Sequence, residues 1–144
     1  MPLPPHLTLE LVTPDRAIVR EQVDEVQIPG SQGYLGVLPG HTPLLTTLQV
    51  GELWFRQGGE RQYLLVAFGF AEILPDRVTI LAQSAERAEE IDVARAEQAQ
   101  RRARELLVKR TVDVDFERAR IALMKSLIRL QVASKVRVKP KVGL

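Results

Sequence analysis

The sequence predicts an α+β fold, a small antiparallel β-sandwich or barrel followed by an antiparallel two-helix hairpin, and three features carry that reading. Eight of the nine prolines and eight of the nine glycines lie at or before Pro75, whereas residues 76–139 contain neither. Turn-forming residues thus punctuate the first part of the chain and are missing from the second. Apolar residues recur at every second position in the first part and at steps of three and four in the second, the periods of a half-buried strand and of an amphipathic helix. Charge changes at the same place: residues 1–87 hold 6 Arg and 10 Asp+Glu, residues 88–144 hold 14 Lys+Arg and 8 Asp+Glu, and every lysine lies in the second part. The domains expected are therefore 1–87 and 88–144.

The strands follow from the alternation. Leu7, Leu9 and Leu11 mark the first, Val26 and Ile28 another, then Leu53 with Phe55, and Val78 with Ile80; each set places its apolar side chains on one face. Residues 63–68 are apolar without interruption and read as a central strand covered on both sides. Gly58-Gly59 fits a tight hairpin turn and Pro75-Asp76 a second. The longest uncharged run, residues 27–51, has 25 residues, enough for a membrane helix, but Pro29, Pro39, Pro43 and five glycines rule that out.

The helices are expected at about 88–109 and 115–136, separated by RTVDVD, where β-branched residues and Asp113 interrupt the helical pattern. The first has Glu89, Glu90 and Asp92 near its start and Arg101, Arg102, Arg104, Lys109 and Arg110 towards its end, the order that opposes the helix dipole. Its seam is expected at Ala96, Ala99, Ala103 and Leu106. The second offers Phe116, Ala119, Leu123, Leu127 and Leu130 as its facing stripe, with Ile121, Met124, Ile128 and Val132 as a second. From Arg118 onward there are eight basic residues and no acidic one, a charge that suits an acidic protein surface, an anionic lipid or a nucleic acid.

Catalytic chemistry is hard to find. No cysteine is present, which removes disulfides, zinc-thiolate sites and thiol nucleophiles. His6 and His41 are the only histidines, too few for a multi-histidine metal site. Gly30, Gly33 and Gly36 are not followed by GK[ST] and do not form GxGxxG, so they read as turn residues. Glu52, Glu60 and Glu72 define no acid/base pair. The N-terminus has no basic region leading into an apolar core, so no secretory signal is expected. The readings left are an interaction subunit and, as the alternative, a small β-domain with a basic arm that binds nucleic acid; against the latter, the first part is net acidic.

Two motifs narrow the choice. Residues 23–45, VDEVQIPGSQGYLGVLPGHTPLL, are close to a GxxGxxGxxPGHxPLL pattern, and residues 91–96, IDVARA, fit [IL]DxxRA. With the order of sandwich and helices, they resemble the epsilon subunit family of bacterial F-type ATP synthases over about residues 7–133. The resemblance implies a flattened sandwich of about ten strands followed by the helical hairpin. It implies a non-catalytic rotor-stalk subunit that joins the gamma shaft to the c-ring during proton-driven ATP synthesis. The partners implied are gamma, the c-ring and, when the helices extend, the catalytic beta and alpha subunits. Nucleic acid is not among them, and the membrane is reached only through the complex, at the cytoplasmic face of the bacterial plasma membrane. Sandwich contacts to the c-ring and gamma are expected at Ser31, Tyr34, His41 and Pro43, and a basic face inhibiting ATP hydrolysis at Arg118, Arg120, Lys125 and Arg129. No cofactor is required, but a regulatory ATP is implied at Glu86, Ile91, Asp92, Arg95, Arg102, Lys125 and Arg129. Lys125 departs from the arginine found in the members that bind ATP best.

Overall fold

The computed structural model describes residues 2–109 and 115–138. Two compact units are present, Met1–Glu86 and Arg87–Leu144. The first contains strands β1 (Leu7–Val12), β2 (Ala17–Val23), β3 (Glu25–Gly30), β4 (Gly33–Val37), β5 (Leu44–Leu48), β6 (Gly51–Gln57), β7 (Glu60–Leu74) and β8, which runs Arg77–Arg87. Their order is β2-β1-β8-β7-β5-β3-β4, with β6 bonded to both β3 and β7. The alternation read from the sequence is the core itself: Leu7, Leu9, Leu11, Val26, Ile28, Leu53, Phe55, Val78 and Ile80 are all fully buried. Each contributes about 1.5–3 kcal/mol by leaving water.

Three features differ from the expectation. Eight strands are seen among the described residues where the resemblance implies about ten, because β7 continues through a bend at Phe68 and Gly69. Before the bend it pairs with β6, from Glu60 to Val66; after it, Gly69 to Ile73 pair with β5. One long strand thus does the work of two. Second, β1 and β8 are parallel, with Leu9 opposite Val78 and Leu11 opposite Ile80. Strands from opposite ends of the unit meet there, so no hairpin constrains their direction. Third, Gly30 and Gly33 close a two-residue β-hairpin turn as expected, pairing with each other, but Gly36 lies inside β4 and not in a turn. Gly58-Gly59 and Pro75-Asp76 do form turns, between β6 and β7 and between β7 and β8.

One end of this unit is tied by Asp24. Its carboxylate accepts the Gly58 N–H at 2.7 Å, lies 3.2 Å from His6 Nδ1 and 3.7 Å from Arg56, whose Nε is also 3.2 Å from Glu25. These contacts, the Gly58 N–H first and then His6 and Arg56, lower the Asp24 pKa below the ordinary 3.8. A lowered carboxylate pKa means stabilisation that is present above the unfolded value and lost as pH falls through the folded one. Thermal unfolding followed between pH 5 and pH 2 should therefore show a loss of stability below about pH 4 that is smaller in Asp24→Asn.

In the second unit, a 3-10 turn at Ala88–Glu90 precedes α1 (Val93–Lys109) and α2 (Phe116–Val138). The first helix begins five residues later than the sequence reading placed it, because Asp92 caps it. The Asp92 carboxylate accepts the Arg95 N–H at 3.1 Å, and Asp115 does the same for Arg118 in α2. An Asp cap satisfies a backbone donor that the helix cannot. The helices pack together, and their short connection allows only an antiparallel arrangement; residues 110–114, including Asp113, lie outside the described residues. The buried positions of the two helices are mostly small side chains, with Val132 of α2, expected in the second stripe, the one large residue fully buried among them. Ala96 and Ala103 of α1 and Ala119, Ser126 and Ala133 of α2 are buried, whereas Leu106, Phe116 and Leu127, expected in the seam, are 44%, 43% and 40% exposed. Ala119, Ser126 and Ala133 recur every seven residues and so lie along one line of the helix. Small residues let two backbones approach closely, and they bury little apolar area in doing so.

Candidate functional site

The four residues assigned to partner contact are divided between two ends of the sandwich unit. Ser31 sits in the β3–β4 turn, where its N–H donates to the Thr47 carbonyl at 2.8 Å and its hydroxyl bonds that of Thr47. Tyr34 is the second residue of β4, is half exposed, and its hydroxyl accepts the Glu52 N–H at 3.3 Å. From there β4 leads away and β5 leads back, so His41 and Pro43, in the turn between them, lie about 17 Å distant, the length of five strand residues. That turn is pinned: the Gly40 N–H donates to Pro75 O at 2.7 Å and the His41 N–H to Leu38 O at 3.2 Å. The His41 ring stands 2.7 Å from the Thr42 carbonyl, with Nδ1 towards it. Ser31 and Tyr34 therefore belong to one surface, His41 and Pro43 to another.

The apolar residues of this stretch are mostly outside. Val37 is buried and Leu35 packs on the core, but Leu38, Leu44 and Leu45 are 54%, 40% and 71% exposed. Leu45 pairs with Glu72 and Thr47 with Phe70, which puts Leu45 and Phe70 on the same, outward face of β5 and β7. Leu81, on neighbouring β8, points outward between buried Ile80 and Ala82. Phe70 and Leu81 were missed by sequence reasoning. Their signal was an apolar residue in the wrong phase of an otherwise alternating strand.

The nucleotide candidates are scattered over both units. Glu86 closes the sandwich unit, and the others lie in the helical one. Ile91 is buried, and the Asp92 carboxylate is committed to the α1 cap. Arg95 and Arg102 are exposed on α1, while Lys125 and Arg129 are half-buried on α2. A shallow depression of about 360 Å³ is lined by Gln98, Arg101, Arg102 and Glu105, all from α1, so Arg102 alone of the set lines it.

The four basic residues of α2 do not share one face. At 100° per residue, Arg118, Lys125 and Arg129 align within about 40°, and Arg120 points nearly the opposite way. There it holds Glu117 through two contacts, at 2.7 and 3.3 Å, which raises the arginine pKa and lowers that of the glutamate. Among the described residues no helix is long and apolar enough to cross a membrane.

Comparison with known proteins gives consistent results. The family model for the ATP synthase delta/epsilon chain β-sandwich domain matches residues 6–88, and that for the long α-helix domain of the same chain matches residues 89–134. The ATP synthase epsilon chain of Solibacter usitatus is 48% identical over 133 residues, 92% of this chain and 99% of that one. That of Koribacter versatilis is 57% identical over 98 residues, 68% of this chain and 69% of its own. A chain in the Euglena gracilis mitochondrial ATP synthase structure (OSCP, F1 and c-ring) has the same fold, with a TM-score of 0.70 at 24% identity, covering 95% of this chain and 82% of that one.

Proposed function

This chain belongs to the ATP synthase delta/epsilon chain family, and we propose from that premise that it is a rotor-stalk subunit coupling the gamma shaft to the c-ring during proton-driven ATP synthesis. It is a non-catalytic part of the complex. The observation that carries the coupling role is the outward strip of Leu45, Phe70 and Leu81, 71%, 55% and 53% exposed on three neighbouring strands. Adjacent large apolar side chains of this kind mark a surface that a partner covers. Gamma covers that strip and the His41–Pro43 turn, and the c-ring meets the Ser31–Tyr34 end. Distinct surfaces on one rigid sandwich let torque pass from one partner to the other.

The helical unit is regulatory. Extended, it lodges against the catalytic beta and alpha subunits and blocks ATP hydrolysis, with Arg118, Lys125 and Arg129 facing acidic protein surface. The predominance of alanine and serine at the seam supports this role, since they bury less apolar area than leucines would. The basic arm thus serves protein partners instead of nucleic acid, and the subunit stays at the cytoplasmic face of the plasma membrane through the complex alone. Membranes stripped of their own copy and given back this chain should regain ATP-driven proton pumping. If pumping stays lost while gamma is bound, the c-ring role is refuted.

ATP is the regulatory ligand of the same helices, held by Arg95, Arg102, Lys125 and Arg129 beside Ile91 and Asp92; Glu86 lies in the sandwich unit and is left out of this site. The cap at Asp92 uses the backbone of Arg95, so Arg95→Ala removes the guanidinium without removing the cap. Calorimetry on the full chain should show weak ATP binding, tightened in Lys125→Arg, where the planar fork grips phosphate oxygens in pairs, and abolished in Arg95→Ala. No heat at millimolar ATP would leave Asp92 with its capping role alone.

A further inference from the structure

Tyr34 is a half-exposed side chain whose hydroxyl comes to rest against a residue that has no side chain. A Cβ built on Gly51 would fall 2.9 Å from the Tyr34 hydroxyl, 2.5 Å from Pro29 Cβ and 3.1 Å from Pro29 Cγ. Pro29 and Tyr34 are cross-strand partners in the β3–β4 hairpin, and Gly51 opens β6. The phenol hydroxyl therefore passes beside the point where a methyl group on residue 51 would sit, and such a methyl would crowd both it and Pro29. There it accepts the Glu52 N–H at 3.3 Å, while Tyr34 as a whole stays 50% exposed. Most half-exposed side chains sample several rotamers. This one is anchored at its far end.

We propose that Gly51 is the positioning residue for Tyr34, leaving the Tyr34 hydroxyl uncrowded where it meets the Glu52 N–H, so that the ring-facing contact is presented in a single orientation. The inference rests on the reading of Tyr34 as a c-ring contact and adds what prepares it. A contact already ordered before the encounter loses less rotamer freedom on binding. Releasing the anchor should weaken binding by roughly 2- to 10-fold without removing the contact.

The test uses the full chain bound to gamma, with affinity for detergent-solubilised c-ring and affinity for gamma measured separately. Tyr34→Phe, which keeps the ring and loses the hydroxyl, should weaken c-ring binding in that range and leave gamma binding unchanged. Gly51→Ala should weaken c-ring binding at least as much in the wild-type background, and cost clearly less in Tyr34→Ala, where only the contact with Pro29 is left to crowd the new methyl. If Gly51→Ala is as costly in Tyr34→Ala as in wild type, its effect does not run through Tyr34 and the positioning role is overturned. Should Gly51→Ala fail to fold, Tyr34→Phe decides, and an unchanged c-ring affinity there rejects the proposal. Loss in Tyr34→Ala with none in Tyr34→Phe rejects the anchor alone, whereas no loss in Tyr34→Ala rejects the ring contact itself.

Discussion

Gly69→Ala should unfold the sandwich, or leave it so weak that it melts far below the wild type. An added Cβ would lie 2.0 Å from the Leu81 carbonyl oxygen and 2.8 Å from Ala82 Cα, both backbone atoms of β8, and Gly69 has a φ of +124°. No rotamer relieves a clash between a Cβ and backbone. The φ strain costs about 1–3 kcal/mol and the forced separation of strands about as much again. Together they approach the ~5–15 kcal/mol that holds an ordinary domain folded. The bend is also where β7 changes partner from β6 to β5, and Phe68 beside it has a φ of +60°. Gly59→Ala is the matched control: its Cβ would meet nothing within 4 Å, and thermal melts should show it close to wild type. Equal melting of both variants would mean that the close approach of β7 to β8 does not hold the fold.

A chain ending at Ala88 should still fold and bind gamma, and the assembled enzyme carrying it should hydrolyse ATP several-fold faster than with the full chain. Every strand is complete by Arg87, the core residues all lie before that point, and the outward strip and both end turns are retained. Only the element proposed to enter the catalytic head is lost. The same effect in part should follow from replacing Arg118, Lys125 and Arg129 together by Ala. Pairs of exposed charges contribute up to about 1 kcal/mol each, so three shift the extended population by on the order of 10-fold. Arg120→Ala alone should change little, because that guanidinium points away and already holds Glu117. Hydrolysis assays in the absence of a proton gradient distinguish these outcomes. Unchanged rates for the truncated chain would show that the hairpin does not inhibit.

Legibility in the sequence tracked how local each cause was. The inward strand residues were readable because burial on one face forces a two-residue period, and Gly58-Gly59 and Pro75-Asp76 because turn chemistry is carried by the residues themselves. The bend at Gly69 was not readable, since its cause is the backbone of β8, a dozen residues later in the chain. The helical seam was read correctly at Ala96, Ala103 and Ala119, which are buried, and misread at Leu106, Phe116 and Leu127 for a related reason. Leucines dominate the hydrophobic pattern of α2, but close approach selects Ala119, Ser126 and Ala133, and a serine does not register as core in any hydropathy reading. The buried hydroxyl of Ser126 is satisfied within its own helix, by donating to the Leu123 carbonyl at 2.8 Å. For the candidate sites, motifs located the residues but not their grouping. That Ser31 and Tyr34 lie at the opposite end from His41 and Pro43 follows from the direction of β4, and that Arg120 leaves the basic face follows from helix geometry that the list of charges obscured.

Whether this chain is the stalk subunit linking gamma to the c-ring can be read from an affinity-tagged copy recovered from membranes of its source cells. Gamma, the catalytic subunits and, in mild detergent, the c-ring should be recovered together, and the catalytic subunits and gamma should remain at physiological salt. Recovery without gamma, or of nucleic acid whose binding falls steeply as salt is raised, would contradict that role.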